Sequence, residues 1–238
     1  EAKLWDNFKE KLQLNNSNVL NGVDITDVEM TRIKEFIEQN AVTPYKAAKW
    51  LSGENGVVNI PLVREDSSLG RIDLMAVNQR DIAGGRSSYE VINQYVSDKC
   101  NDRDRDRRFD VTLLINGMPM IQIELKNQDH GFMDAFRQIV KYSEEGKFRG
   151  LFGLVQMFVV SNGADTKYIA ADTADKLNEK FLSGWVDEKN KPVTDYLKFA
   201  RDVLSIPAAH CLVGKYRVLD NENKRIILLR PYQIHAIE

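Results

Sequence analysis

Cysteine is scarce in this chain. Its 238 residues include two, Cys100 and Cys211. They lie far apart and form no metal-ligand spacing, so a thiolate metal site is not expected and a reducing, cytoplasmic setting is. Long apolar runs are also missing. None approaches the roughly 20 residues needed to span a bilayer, so no membrane role is expected. The opening EAKLWDNFKEKL lacks a signal-peptide pattern. It also lacks an initiator Met, and the final RPYQIHAIE reads as the start of a further segment, so the chain is expected to be a piece of a longer one. Charge of one sign is not in excess. The net charge of −2 does not indicate a uniformly basic nucleic-acid surface, although local basic patches remain open. No phosphate-binding G-x-x-x-x-G-K-[ST] loop occurs, and GGRSSY at 84–89 lacks its ending, so this piece should not hydrolyse ATP by itself.

What is present is an ordinary globular composition, 43% hydrophobic and long enough for a sizeable core. DITDVEMTRIKEFIEQN predicts a helix with Thr26 or Asp27 as N-cap, and TPYKAAKWLSG a second, with Pro44 at its start and Gly53 as its stop. GVVNIPLV, GRIDLMAV and YEVINQYV read as strands. NDRDRDRR (101–108) reads as a charged loop. FDVTLLI and MPMIQIELK flank Asn116-Gly117, the strongest short-range hairpin signal. GFMDAFRQIVKYSEEGKF predicts a helix, FGLVQMFVVSNG a buried strand, TADKLNEKFLSGW and VTDYLKFARDVLS further helices, and YRVLDNENKRIILLRPYQ a hairpin-like connector. The order of elements predicts an α/β fold with a mixed central sheet flanked by helices.

The chemistry concentrates in IELKN, 123–127. Strand alternation puts Glu124 and Lys126 on one face, and ionisable side chains are rarely buried unless paired. A half-exposed face with a cross-strand ion pair is one explanation. A divalent-metal site is the other, because Asp110 lies on the opposite arm of the hairpin. Mg²⁺ takes a few carboxylate oxygens, and a bound metal activates water and offsets phosphoryl charge. A nearby lysine can orient that water. Asp110, Glu124 and Lys126 therefore suit phosphodiester hydrolysis.

Register decides between the two. A strict two-residue turn would place Asp110 and Glu124 on opposite faces. A three-residue turn with Gly117 in a bulge, or a compensating bulge in one arm, would bring them together. On the following helix, Gln138 and Tyr142 share a face at i,i+4, beside a cationic stripe of Arg137 and Lys141. Amide, phenol and cation suit phosphate and sugar contacts on DNA; a solvent-facing polar stripe is the plainer alternative. His130, in the loop NQDHG, reads as a surface residue.

RFDVTLLINGMPMIQIELKN followed by AFRQIVKYS resembles the nuclease core of the restriction (HsdR) subunit of type I restriction–modification enzymes, within the PD-(D/E)XK, restriction-endonuclease-like superfamily. The shared string is Asp110, NGMP at 116–119, Glu124-x-Lys126, then Gln138-x-x-x-Tyr142. VINQY at 91–95 and FVVSNG at 158–163 also look like family segments.

The resemblance implies that Asp110 and Glu124 bind Mg²⁺ with the Leu125 carbonyl, and that Lys126 positions water. It implies that Gln138 and Tyr142 support the site and contact double-stranded DNA. A further acidic residue from an early helix is common in that superfamily, with Glu29, Glu35 and Glu54 as open candidates. LLRPYQIHAIE resembles the segment before a superfamily 2 motor, which would place Arg230 and Gln233 near an adenine of ATP in the full-length subunit. The implied organisation is an endonuclease domain over 1–180 and a connector over 181–238. The implied partners are methylation and specificity subunits. A non-catalytic DNA- or subunit-binding module on the same fold is the alternative.

Overall fold

In a computed structural model of the chain, which describes residues 1–97, 99 and 105–237, four helices come first. They are α1 (Ala2–Asn15), α2 (Ser17–Leu20), α3 (Asp27–Asn40) and α4 (Pro44–Leu51). An antiparallel pair follows, β1 (Val57–Val63) and β2 (Arg71–Asn78). The central sheet is built from β3 (Tyr89–Ser97), β4 (Arg107–Ile115), β5 (Met118–Leu125), β6 (Met157–Ser161) and β7 (Thr166–Ala170), side by side in that order. Helix α5 (Phe132–Glu144) carries the chain from β5 to β6, and this pair alone in the sheet is parallel. A parallel neighbour requires such a crossover, whereas the other pairs need only turns or loops. Short helices α6 (Tyr196–Phe199) and α7 (Ala208–Gly214), a hairpin of β8 (Arg217–Asp220) and β9 (Arg225–Leu228), and α8 (Pro231–His235) complete the chain. The fold is α/β, with a mixed five-stranded sheet flanked by helices, as the order of elements predicts.

Local chemistry explains the helix starts. Thr26, not Asp27, caps α3: its hydroxyl accepts from Glu29 N at 3.2 Å while Glu29 Oε2 accepts from Thr26 N at 3.0 Å. The other oxygen of Glu29 accepts from Arg64 Nε at 2.8 Å and Glu65 N at 2.7 Å, and both side chains are buried. Burial alone would raise the Glu29 pKa, but the backbone donors of Glu65 and Thr26 and the Arg64 guanidinium together hold it below its ordinary value. Thr43 caps α4, with Pro44 in its first turn. Residues 181–237 pack against the same apolar core as the sheet, through Trp185, Phe199, Val203, Leu212 and Ile234.

Three expectations need correction. TADKLNEKFLSGW forms only one 3₁₀ turn, Glu179–Phe181. The chain there runs extended so that Ser183 exchanges two backbone bonds with Tyr168, each 2.9 Å, and a helix would forfeit that pairing. The strand expected across FGLVQMFVVSNG starts late, because Gly150–Leu154 is 3₁₀ and β6 begins at Met157. Of the charged loop, residues 101–104 lie outside the described residues, as does Cys100, while Arg107 and Arg108 already belong to β4.

The β4–β5 connection holds the site together. Asn116 and Gly117 adopt φ of 52° and 76°, the two left-handed residues of a type I′ turn. The Asn116 amide donates to Ala76 O at 2.8 Å, and its oxygen accepts from Ser88 N at 2.8 Å. These bonds tie the turn to the segments on either side of the 81–88 loop. A Cβ on Gly117 would lie 2.8 Å from Phe8 Cα, so α1 crosses directly over the turn. Gly117→Ala should therefore lower the unfolding free energy by roughly 2 kcal/mol or more, from the left-handed cost plus the displacement of α1. Urea unfolding that shows no loss would refute this reading of the turn.

Candidate active site

The turn has two residues, not the three that would themselves align the carboxylates. Alignment comes instead from a bulge in one arm. Ile115 pairs with Met118 and Leu114 with Pro119, but Leu113 pairs with Ile121, leaving Met120 as the extra residue. Beyond the bulge Thr112 pairs with Gln122 and Val111 with Ile123, so Asp110 comes to lie across from Glu124. Pro119 occupies the interrupted stretch, where a missing N–H costs the ladder least.

Asp110 Oδ2 accepts from Leu125 N at 2.8 Å, which clamps the two strand ends together. Glu124 is fully buried. Its Oε1 accepts from Gln122 Nε2 at 3.0 Å, and Thr112 Oγ1 donates to Gln122 Oε1 at 2.6 Å, fixing that amide's orientation. Glu124 Oε2 accepts from Gln138 Nε2 at 2.8 Å. The same Gln138 accepts from Lys126 Nζ through Oε1 and donates to Tyr142 Oη. Tyr142 Oη donates to the Arg108 carbonyl at 3.3 Å, and the tyrosine ring packs on Phe109. Gln138 and Tyr142 reach this network from one face of α5, whose Ala135, Phe136 and Ile139 are buried. Asp110, Lys126, Gln138 and Tyr142 border one open cavity of about 470 Å³, together with Arg107 and Arg108.

Burial, and then the Asp110 charge, push the Glu124 carboxyl up to about 8. Burial, and then the Glu124 charge, push the Tyr142 phenol up to about 12. Among the described residues the donors to the two carboxylates are neutral: the Gln122 and Gln138 side-chain amides and the backbone N–H groups of Leu125 and Asp110. Nothing among these donors offsets a second negative charge, so ionising Glu124 beside Asp110 is disfavoured.

Not all candidates converge here. Arg137 is exposed and paired with Asp134 at 2.7 Å, and Lys141 is exposed on the same side of α5. His130 is exposed near Asp134. Glu29 is spent on Arg64, Glu35 and Glu54 are exposed, and among the described residues no His, Cys, Asp or Glu completes a group of three at the carboxylate pair. Arg230 and Gln233 border a separate cavity of about 570 Å³ beside β9, where Arg230 Nη1 donates to Ser183 Oγ at 3.3 Å and Gln233 Oε1 accepts from Arg230 N at 2.8 Å.

Sequence reasoning misses Thr112 and Gln122, whereas Gln94 lies in the VINQY segment already noted. The first two could have been found once the register was known. Gln94, on β3 between the residues that pair with Val111 and Phe109, has φ of 52°, a strained left-handed conformation inside a strand.

Sheet order, the α5 crossover and the Asp110, Glu124, Lys126 grouping at the strand ends define a protein of the restriction-endonuclease-like fold class. The chain belongs to the family described as type I restriction enzyme R protein N terminus, whose model matches residues 1–177. It is 29% identical over its full length to the type I restriction enzyme SsaAORF53P endonuclease subunit of Staphylococcus saprophyticus, spanning 24% of that protein. It is 28% identical over 99% of its length to the SauCOLORF180P endonuclease subunit of Staphylococcus aureus, again spanning 24% of the relative. Over 134 residues, 55% of this chain and 42% of the relative, it is 37% identical to the EcoprrI endonuclease subunit of Escherichia coli.

The raised Glu124 pKa has a defined sign. Between about 4.5 and about 8 the folded state holds a proton that the unfolded state has released, so stability falls as pH rises through that window. Metal-free protein should lose up to about 1.4 kcal/mol per pH unit more than Glu124→Gln does in urea unfolding from pH 5 to 8. Parallel pH profiles for the two proteins would contradict the assignment.

Proposed function

We propose that this chain is the metal-dependent DNA endonuclease portion of a type I restriction subunit. The observation that carries the reading is the fully buried Glu124, held by neutral donors across from Asp110. Such a pair fits a hard divalent cation, whose charge would favour the ionised carboxylate that burial, and then the Asp110 charge, disfavour. Asp110, Glu124 and the Leu125 carbonyl would hold Mg²⁺. When bound, the ion would supply an acidified water and offset charge on a phosphoryl oxygen.

The chain's own groups then have distinct tasks. Lys126, at the end of β5, would orient the attacking water. Gln138 keeps the lysine and the glutamate apart while touching both, since its oxygen meets the ammonium and its nitrogen meets the carboxylate. Tyr142 fixes Gln138 from behind. Relatives named as endonuclease subunits support a cleavage role, and the chain spans about a quarter of the staphylococcal ones. ATP-driven translocation, and assembly with methylation and specificity subunits, would belong to such a longer subunit and its complex, with double-stranded DNA as substrate.

In the intact assembly with Mg²⁺, ATP and circular DNA, Lys126→Ala and Glu124→Gln should each slow cleavage by roughly 10²–10⁴-fold while ATP hydrolysis continues. Wild-type cleavage by both variants would refute the site. Gln138→Ala should weaken Mn²⁺ binding by about 10- to 100-fold by titration calorimetry; unchanged affinity would remove Gln138 from its positioning role.

A further inference from the structure

We infer that Arg108 forms a phosphate-binding subsite beside the metal site, gripping the DNA backbone next to the bond to be cut. The inference rests on the nuclease reading above. Arg108 stands two residues before Asp110 on β4, so both side chains leave the same face of the strand. Both border the one cavity that also contains Lys126, Gln138 and Tyr142. The Arg108 backbone is fixed to the site, because its carbonyl is the group that Tyr142 Oη binds at 3.3 Å.

A comparison of the nearby cations singles it out. The Arg107 guanidinium is bound by the Glu145 carboxylate and lies over the Tyr142 ring, 5.8 Å from its centre. Arg137 is bound by Asp134. Lys126 is held by Gln138. Arg108 is exposed, and among the described residues its side chain has no carboxylate, carbonyl or ring partner.

A guanidinium is always charged, and its planar fork matches two phosphate oxygens. An exposed one stays hydrated at no desolvation cost, so it can exchange water for phosphate when DNA arrives. Two strand residues separate the Arg108 and Asp110 Cα atoms by roughly 6.6 Å. The side chain therefore extends past the carboxylates toward a flanking phosphate. A contact of this kind positions the strand and carries no base information, which suits cleavage that ignores local sequence. Lys141, exposed on α5, lacks this coupling: no hydrogen bond joins it to the Gln138 network among the described residues.

The test compares wild-type full-length subunit with Arg108→Ala, Arg108→Lys and, as a surface-charge control, Arg86→Ala. Binding of a mixed-sequence 30-base-pair duplex is followed by fluorescence anisotropy with Ca²⁺ in place of Mg²⁺. Cleavage of circular DNA by the assembly is followed in parallel, together with Glu124→Gln.

Arg108→Ala should bind about 10-fold more weakly and flatten the slope of log affinity against log salt by about one. Arg108→Lys should recover part of the affinity, Arg86→Ala should match wild type, and thermal melts should confirm that all fold. If Arg108→Ala binds and cuts like wild type while Glu124→Gln does not cut, the subsite is overturned and the nuclease reading stands. If Glu124→Gln also cuts like wild type, both are overturned.

Discussion

A slip of one residue between β4 and β5 would turn every side chain of one arm to the other side of the sheet. The site depends on that constraint. A type I′ turn at Asn116-Gly117 sets one register and the extra Met120 then resets it, so that Asp110 meets Glu124 only beyond the bulge. Neither feature is free to drift. Phe8 of α1 lies against Gly117, and the Asn116 side chain holds both flanking segments. The early helix and the β1–β2 pair thus fix the geometry of carboxylates at the far end of the hairpin.

Beyond the register, the site is organised by one amide. Gln138 joins the glutamate, the lysine and the tyrosine, and its two ends suit their opposite charges. Burial makes Glu124 costly to ionise, and Asp110 makes it costlier. That tension is what a divalent cation would relieve, so the same low-polarity surroundings that disfavour two ionised carboxylates would strengthen their hold on an ion. The neighbouring arginines differ in state. Arg107 is bound by Glu145, whereas Arg108 is exposed and has no side-chain partner among the described residues.

Much of the fold could be read from local signals. The Thr26-Asp27 step, Pro44 and the Asn116-Gly117 pair each marked a helix start or a turn where the structure has one. The central strands followed from their apolar runs. The mid-chain string from Asp110 to Tyr142 placed the residues that the structure brings together. What escaped was mostly long-range. The pairing of Ser183 with Tyr168 overrode a helical pattern at 173–185, and no spacing within that segment announces it. The buried partnership of Glu29 with Arg64 spans 35 positions. Two misses were nevertheless legible. Leu4, Trp5, Phe8 and Leu12 recur at helical spacing in α1, and Pro119 inside a central strand was a pointer to the bulge beside it. Arg230 and Gln233 remain apart from the carboxylates, in a cavity of their own.

The central claim is that Asp110 and Glu124 form one cation site. Anomalous diffraction from crystals soaked in Mn²⁺ tests it most directly. The account predicts a peak bonded to both carboxylates and absent in Glu124→Gln. A peak elsewhere, or none at this pair in well-occupied wild-type crystals, would contradict it.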